Sequence, residues 1–131
     1  VPSAPARCLT AVGAALAALL FPATAAPQQA DGEHVFRQRC GSCHSVDPSQ
    51  KKIGPHLAGL IGRTAGSIES ARYSAPMRAS GIVWDSATLD AFLAAPRGLV
   101  SGTTMTVSIP DAAQRAAIIA YLENQKPTAN N

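Results

Sequence analysis

Cys40, Gly41, Ser42, Cys43 and His44 form the run C-G-S-C-H, two thiols three positions apart with an imidazole directly behind them. A pair spaced as C-x-x-C can act as a redox dithiol, as half of a zinc site or as the covalent seat of a haem. A thioredoxin-type dithiol belongs where a strand enters a helix in βαβ architecture, and no segment of this chain alternates as a strand does. A structural zinc site takes four ligands. The sequence has no second C-x-x-C and no closely spaced histidine pair, which leaves only His34 and His56 to recruit. Covalent haem uses every residue of the run, because two thiols add across the two porphyrin vinyl groups while the adjacent imidazole reaches the iron. The expected cofactor is one covalent haem c, with thioethers from Cys40 and Cys43 and with His44 on the iron.

A low-spin haem takes a second axial ligand, and the candidates are Met77, Met105, His34 and His56. Met105 lies in S-G-T-T-M-T-V (101–107), a stretch without helical or strand period in which Gly102 permits a sharp turn. A loop of that kind can cross over the ring. Met77 follows Pro76 and precedes a polar run, which fits packing. His34 shares a predicted helix with Cys40 and is expected at the surface, and His56 is too near His44 along the chain to cross easily. His44 and Met105 are therefore the expected axial pair. A soft thioether stabilises ferrous iron relative to a second imidazole and raises the reduction potential. Two strong ligands leave the iron no open position, and the chemistry that remains is one-electron transfer.

Three helices are predicted to position these groups. Asp31 predicts an N-cap, Glu33 suits the first turn, Val35, Phe36 and Cys40 fall on adjacent turns, and Gly41 can end that helix. A second helix runs from Asp85 or Ser86 through Leu93 and stops before Pro96. The last opens at Ser108-Ile109-Pro110-Asp111 and continues to Leu122, with Ile118, Tyr121 and Leu122 on one face. Residues 45–70 read as loop, punctuated by Pro48, Gly54, Pro55, Gly59, Gly62 and Gly66, with room for one brief turn at 57–62. The predicted class is all-α, a few short helices and long loops around one haem. Aromatic residues make up only 5% of the chain, so its protein-only core is thin and a large internal ligand is the natural staple.

Residues 1–25 read differently. Arg7 is the only charge before Asp31, and the apolar run at 9–21 corresponds to about 20 Å of helix, short of the roughly 30 Å hydrocarbon core. Ala23-Thr24-Ala25 offers a small-residue cleavage site. The expectation is a cleaved secretory signal at 1–25 and a single domain at 26–131 with a frayed tail; a retained membrane anchor is the alternative. Export would place the protein in the periplasm and remove Cys8, leaving Cys40 and Cys43 as the one pair. Net charge is +3 and scattered, which excludes the dense basic patch that nucleic acid requires.

Residues 31–125 resemble the class I c-type cytochromes in several motifs that keep order and spacing. C-G-S-C-H resembles the haem attachment site, and I-G-P-H-L-A-G-L-I-G-R (53–63) resembles the family's G-P-x-L-x-G-x-x-G-R segment. S-G-I-V-W (80–84) resembles its G-I-x-W, S-G-T-T-M (101–105) resembles P-G-T-K-M, and R-A-A-I-I-A-Y-L (115–122) resembles the closing helix. The resemblance implies axial ligation by His44 and Met105, with the Pro55 carbonyl accepting the other ring N–H of the histidine. It implies that Arg63, Tyr73 and Trp84 meet the haem propionates. It also implies that Gly32 and Phe36 cross against Ile118 and Tyr121. There are departures. Ser101 stands where the family has Pro, Phe92 where a Tyr hydroxyl often approaches the Met sulfur, and Met77 where a polar residue is usual. Thr104 and Gly98 replace lysines, so the cationic docking ring thins to Arg39, Lys51, Lys52 and Arg97.

The expected function is a soluble, monomeric one-electron carrier in the periplasm. Its expected partners are redox proteins: a membrane oxidase, a reductase or a periplasmic dehydrogenase. A peroxidase-like or ligand-binding haem protein is the alternative if Met105 leaves the iron open.

Overall fold

The computed structural model describes Val1, Ser3 and residues 26–126. The expected signal segment and the tail beyond Lys126 thus lie, those two residues apart, outside the described part. Five helices follow in order: α1 (Ala26–Arg39), α2 (Ala75–Ala79), α3 (Ser86–Ala94), α4 (Pro96–Leu99) and α5 (Ala112–Glu123).

Helix α1 starts at Ala26, so Asp31 is an exposed interior position and not the expected N-cap. The residues ahead of Asp31 explain the difference. Pro27 is tolerated in a first turn, and Ala and Gln are good helix formers. The helix crosses α5 closely at Gly32, where a Cβ would collide with the Ala117 carbonyl and sit 2.8 Å from Cβ of Tyr121. Phe36 and Tyr121 pack at the same crossing with ring centroids 5.3 Å apart, and Ile118 is completely buried.

Asp85 caps α3 in a capping box. Its carboxylate accepts from the Thr88 N–H at 2.7 Å, and the Thr88 hydroxyl accepts from the Asp85 N–H at 2.9 Å. The helix stops before Pro96 as expected, but Pro96 then opens one further turn, α4, as prolines at a first helical position do. Helix α5 begins at Ala112, four residues later than expected. Asp111 is its N-cap, accepting from the Gln114 N–H at 2.9 Å, and Pro110 lies just outside. Arg115 ties this start to α3. Its Nε donates to Asp90 at 2.7 Å, and a second nitrogen donates to the Ile109 and Pro110 carbonyls at 2.9 and 2.8 Å.

Among the described residues there is no strand, in line with the expected class. One antiparallel bridge pairs Thr64 with Val83. Around it, the Ala65 N–H bonds the Ile82 carbonyl at 2.8 Å and the Trp84 N–H bonds the Arg63 carbonyl at 3.0 Å. This clasp fixes the 60s loop against the start of α3. Part of the buried cluster, including Ile118, Leu93 and Trp84, lines a cavity.

Candidate functional site

Cys40 follows α1 directly, and the Cys43 and His44 N–H groups both bond its carbonyl, at 3.0 and 2.9 Å. That single turn brings both thiols and the imidazole to one cavity of about 330 Å³, lined mainly by apolar side chains. Cys40 is buried and Cys43 half-buried, and they are not joined to each other. Burial pushes the Cys40 thiol up to about 11, against a smaller downward pull from Arg39. A reactive dithiol is favoured by a lowered thiol at a helix N-terminus, whereas Cys40 follows the C-terminal end of α1, which speaks against the redox alternative. Nor does the arrangement suit zinc: among the described residues no group of three or more His, Cys, Asp or Glu side chains is placed to hold a metal ion.

The second shelf of the site is the loop from Ser45 to Leu57. The Gly54 N–H bonds the Cys43 carbonyl at 2.9 Å, and the Leu57 N–H bonds the Ser45 carbonyl at 2.7 Å. Between them the Pro55 carbonyl lies 2.8 Å from Nδ1 of His44. A carbonyl can only accept, so Nδ1 carries the proton and the Nε2 lone pair is left free. Burial lowers the His44 pKa, opposed by the Pro55 carbonyl and aided by Arg63 and Lys52, which keeps the ring neutral. Gly54 is needed for this arrangement, since a Cβ there would lie 2.5 Å from Cε1 and 2.7 Å from Nδ1 of His44.

Arg63, Tyr73 and Trp84, named from the resemblance, all line the cavity. Arg63 donates to the His56 and Ala58 carbonyls at 2.9 and 3.1 Å, and burial lowers its pKa. Arg78 sits over the Tyr73 ring, 5.5 Å from its centroid. Trp84 is buried and packs on Phe92, with centroids 5.1 Å apart.

Met105 and Met77 both line the cavity, whereas His34 and His56 do not. Met77 is buried on α2, capped by Ser74. That short helix was not expected, because Pro76 reads as loop until it is placed in a first turn. Met105 is half-buried on the loop after α4, its N–H bonded to the Thr103 hydroxyl at 3.3 Å. Among the lining residues to which sequence reasoning assigned no role in the site are Gly54, Thr103 and Arg72. Gly54 had a signal, a glycine directly ahead of Pro55. Thr103 and Arg72 had none, being one polar residue among several in their loops.

A largely apolar cavity carrying two thiols, a neutral imidazole with a free nitrogen and a thioether suits a covalently attached haem. The family model for cytochrome c matches residues 29–126. The chain belongs to the cytochrome c family. Members of this family bind one haem c covalently and transfer electrons between redox partners; they are not enzymes. The chain is 42% identical over 113 residues to cytochrome c2 of Rhodomicrobium vannielii, covering 83% of this chain and 90% of that protein. It is 41% identical over 101 residues to cytochrome c 2.1 of Caenorhabditis briggsae, covering 75% of this chain and 90% of that one. It is also 40% identical over 102 residues to the c-type cytochrome cy of Rhodobacter capsulatus, but there it spans only 51% of the relative's length.

Proposed function

We propose that this cytochrome c holds its haem through Cys40 and Cys43, with His44 and Met105 as axial ligands, and shuttles single electrons in the periplasm. The observation that carries the assignment is the 2.8 Å contact between Nδ1 of His44 and the Pro55 carbonyl. It fixes the ring's orientation and raises its basicity as a ligand. The haem, when bound, supplies a site that gains and loses one electron. The chain's own part is to hold that site still and dry. Gly54 gives the imidazole room, and Trp84, Phe92 and Met77 exclude water from the cavity. Arg63, Tyr73 and Trp84 support the carboxylate edge. Low polarity opposes the more highly charged ferric form, so burial and the Met105 thioether both raise the potential.

Encounter with partners is steered weakly. Arg39, Lys51, Lys52 and Arg97 are exposed, but Thr104 at the cavity mouth is neutral, and Ile53 and Val107 expose apolar surface there. Salt should therefore slow association only modestly, and the protein acts as a monomer. The partners are a membrane oxidase or reductase, or a periplasmic dehydrogenase. Export follows from cleavage after Ala25; among the described residues no helix is long and apolar enough to cross a membrane. Two experiments test the assignment. After expression with haem-maturation machinery, the denatured protein must stain for haem on a gel and the Cys40→Ala, Cys43→Ala double variant must not. N-terminal sequencing of protein from the periplasmic fraction must begin at Ala26.

A further inference from the structure

Three guanidinium groups line the cavity, those of Arg39, Arg63 and Arg72, and no carboxylate does. Two of the three are already engaged. Arg63 spends its fork on the His56 and Ala58 carbonyls, and Arg39, beside Cys40 at the thiol end, donates to the Ser108 carbonyl at 3.5 Å. Arg78, six residues beyond Arg72, is likewise committed, to the Ala71 carbonyl at 3.2 Å and to the Tyr73 ring. Arg72 is different. Among the described residues the ion pairs are Arg37–Glu33 and Arg115–Asp90, and Arg72 joins neither of them nor any hydrogen bond. A free arginine on an open surface would be unremarked. This one, though exposed, lines the cavity beside Tyr73, and no carboxylate lines that cavity.

A haem presents two carboxylates at one edge of an apolar ring, and a carboxylate at a partly buried edge needs a partner. A guanidinium with both arms free matches it bidentately, which Arg63 with two donors already placed does less completely. We infer that Arg72 closes over a haem propionate and so positions the carboxylate edge of the haem. This rests on the haem placement proposed above. A cation held there also offsets the propionate charge, disfavours the ferric form and raises the reduction potential.

The test is a redox titration of the holoprotein against Arg72→Gln, Arg72→Lys and a charge control, Lys126→Gln, which is exposed and remote from the cavity lining. Arg72→Gln should keep its haem stain and its ferric spectrum but show a lower potential at low ionic strength, with the difference shrinking as salt is added. Arg72→Lys should recover part of the shift, and the propionate methylene NMR signals should move in Arg72→Gln alone. A potential in Arg72→Gln no different from that of Lys126→Gln overturns the assignment. If the unmodified protein itself lacks the haem stain, it is the haem site and not Arg72 that fails.

Discussion

From Cys40 to Leu57 the chain is fastened to itself at nearly every step, whereas from Gly102 to Ser108 it is held by very little. On the first side, backbone bonds join His44 to Cys40, Gly54 to Cys43 and Leu57 to Ser45, and Ser45 is buried with its hydroxyl accepting from the Asp47 N–H at 3.0 Å. On the other side stand the Thr103 N–H on the Val100 carbonyl at 3.1 Å, Met105 on Thr103, and the long contact from Arg39 to Ser108. The histidine is preset by the protein. On the proposed ligation, the methionine would depend on its bond to iron to stay in place. Regions with few buried contacts and few backbone bonds open at low cost, so the methionine side is where this cytochrome should first come apart.

The largest effect should come from crowding the preset side. Gly54→Ala pushes a Cβ into the His44 ring and the Cys43 carbonyl, 3.0 Å away. Denaturant unfolding of the holoprotein should report a loss of about 1–3 kcal/mol. Gly102→Ala, at φ +84° on the loose side and 3.0 Å from Cγ of Pro76, should cost less, roughly 1–2 kcal/mol of left-handed strain. An equal or larger loss at Gly102 would break the comparison.

Ser101→Pro should tighten the methionine side. Val100 before it is extended (φ −126°, ψ 92°), as a residue preceding proline prefers, and the Ser101 N–H donates to no described group. The expected gain is about 0.4–1 kcal/mol, through a less flexible unfolded chain. A loss in the same denaturant measurement would show that the loop is held more firmly than its hydrogen bonds indicate.

The smallest effect concerns acid. Burial, and then Arg63, lower the His56 pKa below 6.5, and its buried Nδ1 has no partner. In that state the unfolded chain binds the proton that the folded ring refuses, so stability falls as pH drops below about 6.5 and levels off under the folded pKa. His56→Asn should flatten this limb of a pH series of melting temperatures. An unchanged limb would remove His56 as its source.

Much of the histidine side was legible because it is local. C-x-x-C-H, the G-P pair ahead of His56 and the loop punctuation all lie within a short stretch, and α3 announced itself through Asp85 or Ser86 as its cap. Helix α1 was cut short because Asp31 is a good cap by type, while Ala26–Gln29 can simply continue the helix. Helices α2 and α4 are too short to have a period, and each hides behind a proline that also reads as a loop residue. Pro55, Arg63, Tyr73 and Trp84 came from motif resemblance and not from spacing. Arg63 and Trp84 are brought together by the Thr64–Val83 clasp, a pairing across the chain that no local pattern records. The departures at Met77 and Phe92 proved informative: both line the cavity, and neither offers a hydroxyl or amide there.

The central claim is that Met105, and not Met77, completes the iron site that His44 begins. The most direct measurement is the ferric absorption spectrum at neutral pH of the pure protein, Met105→Ala and Met77→Ala. The unmodified protein and Met77→Ala should both show the weak far-red band of a methionine bound to ferric haem, and Met105→Ala should lose it. High-spin features without that band in the unmodified protein, or its survival in Met105→Ala, would contradict the account.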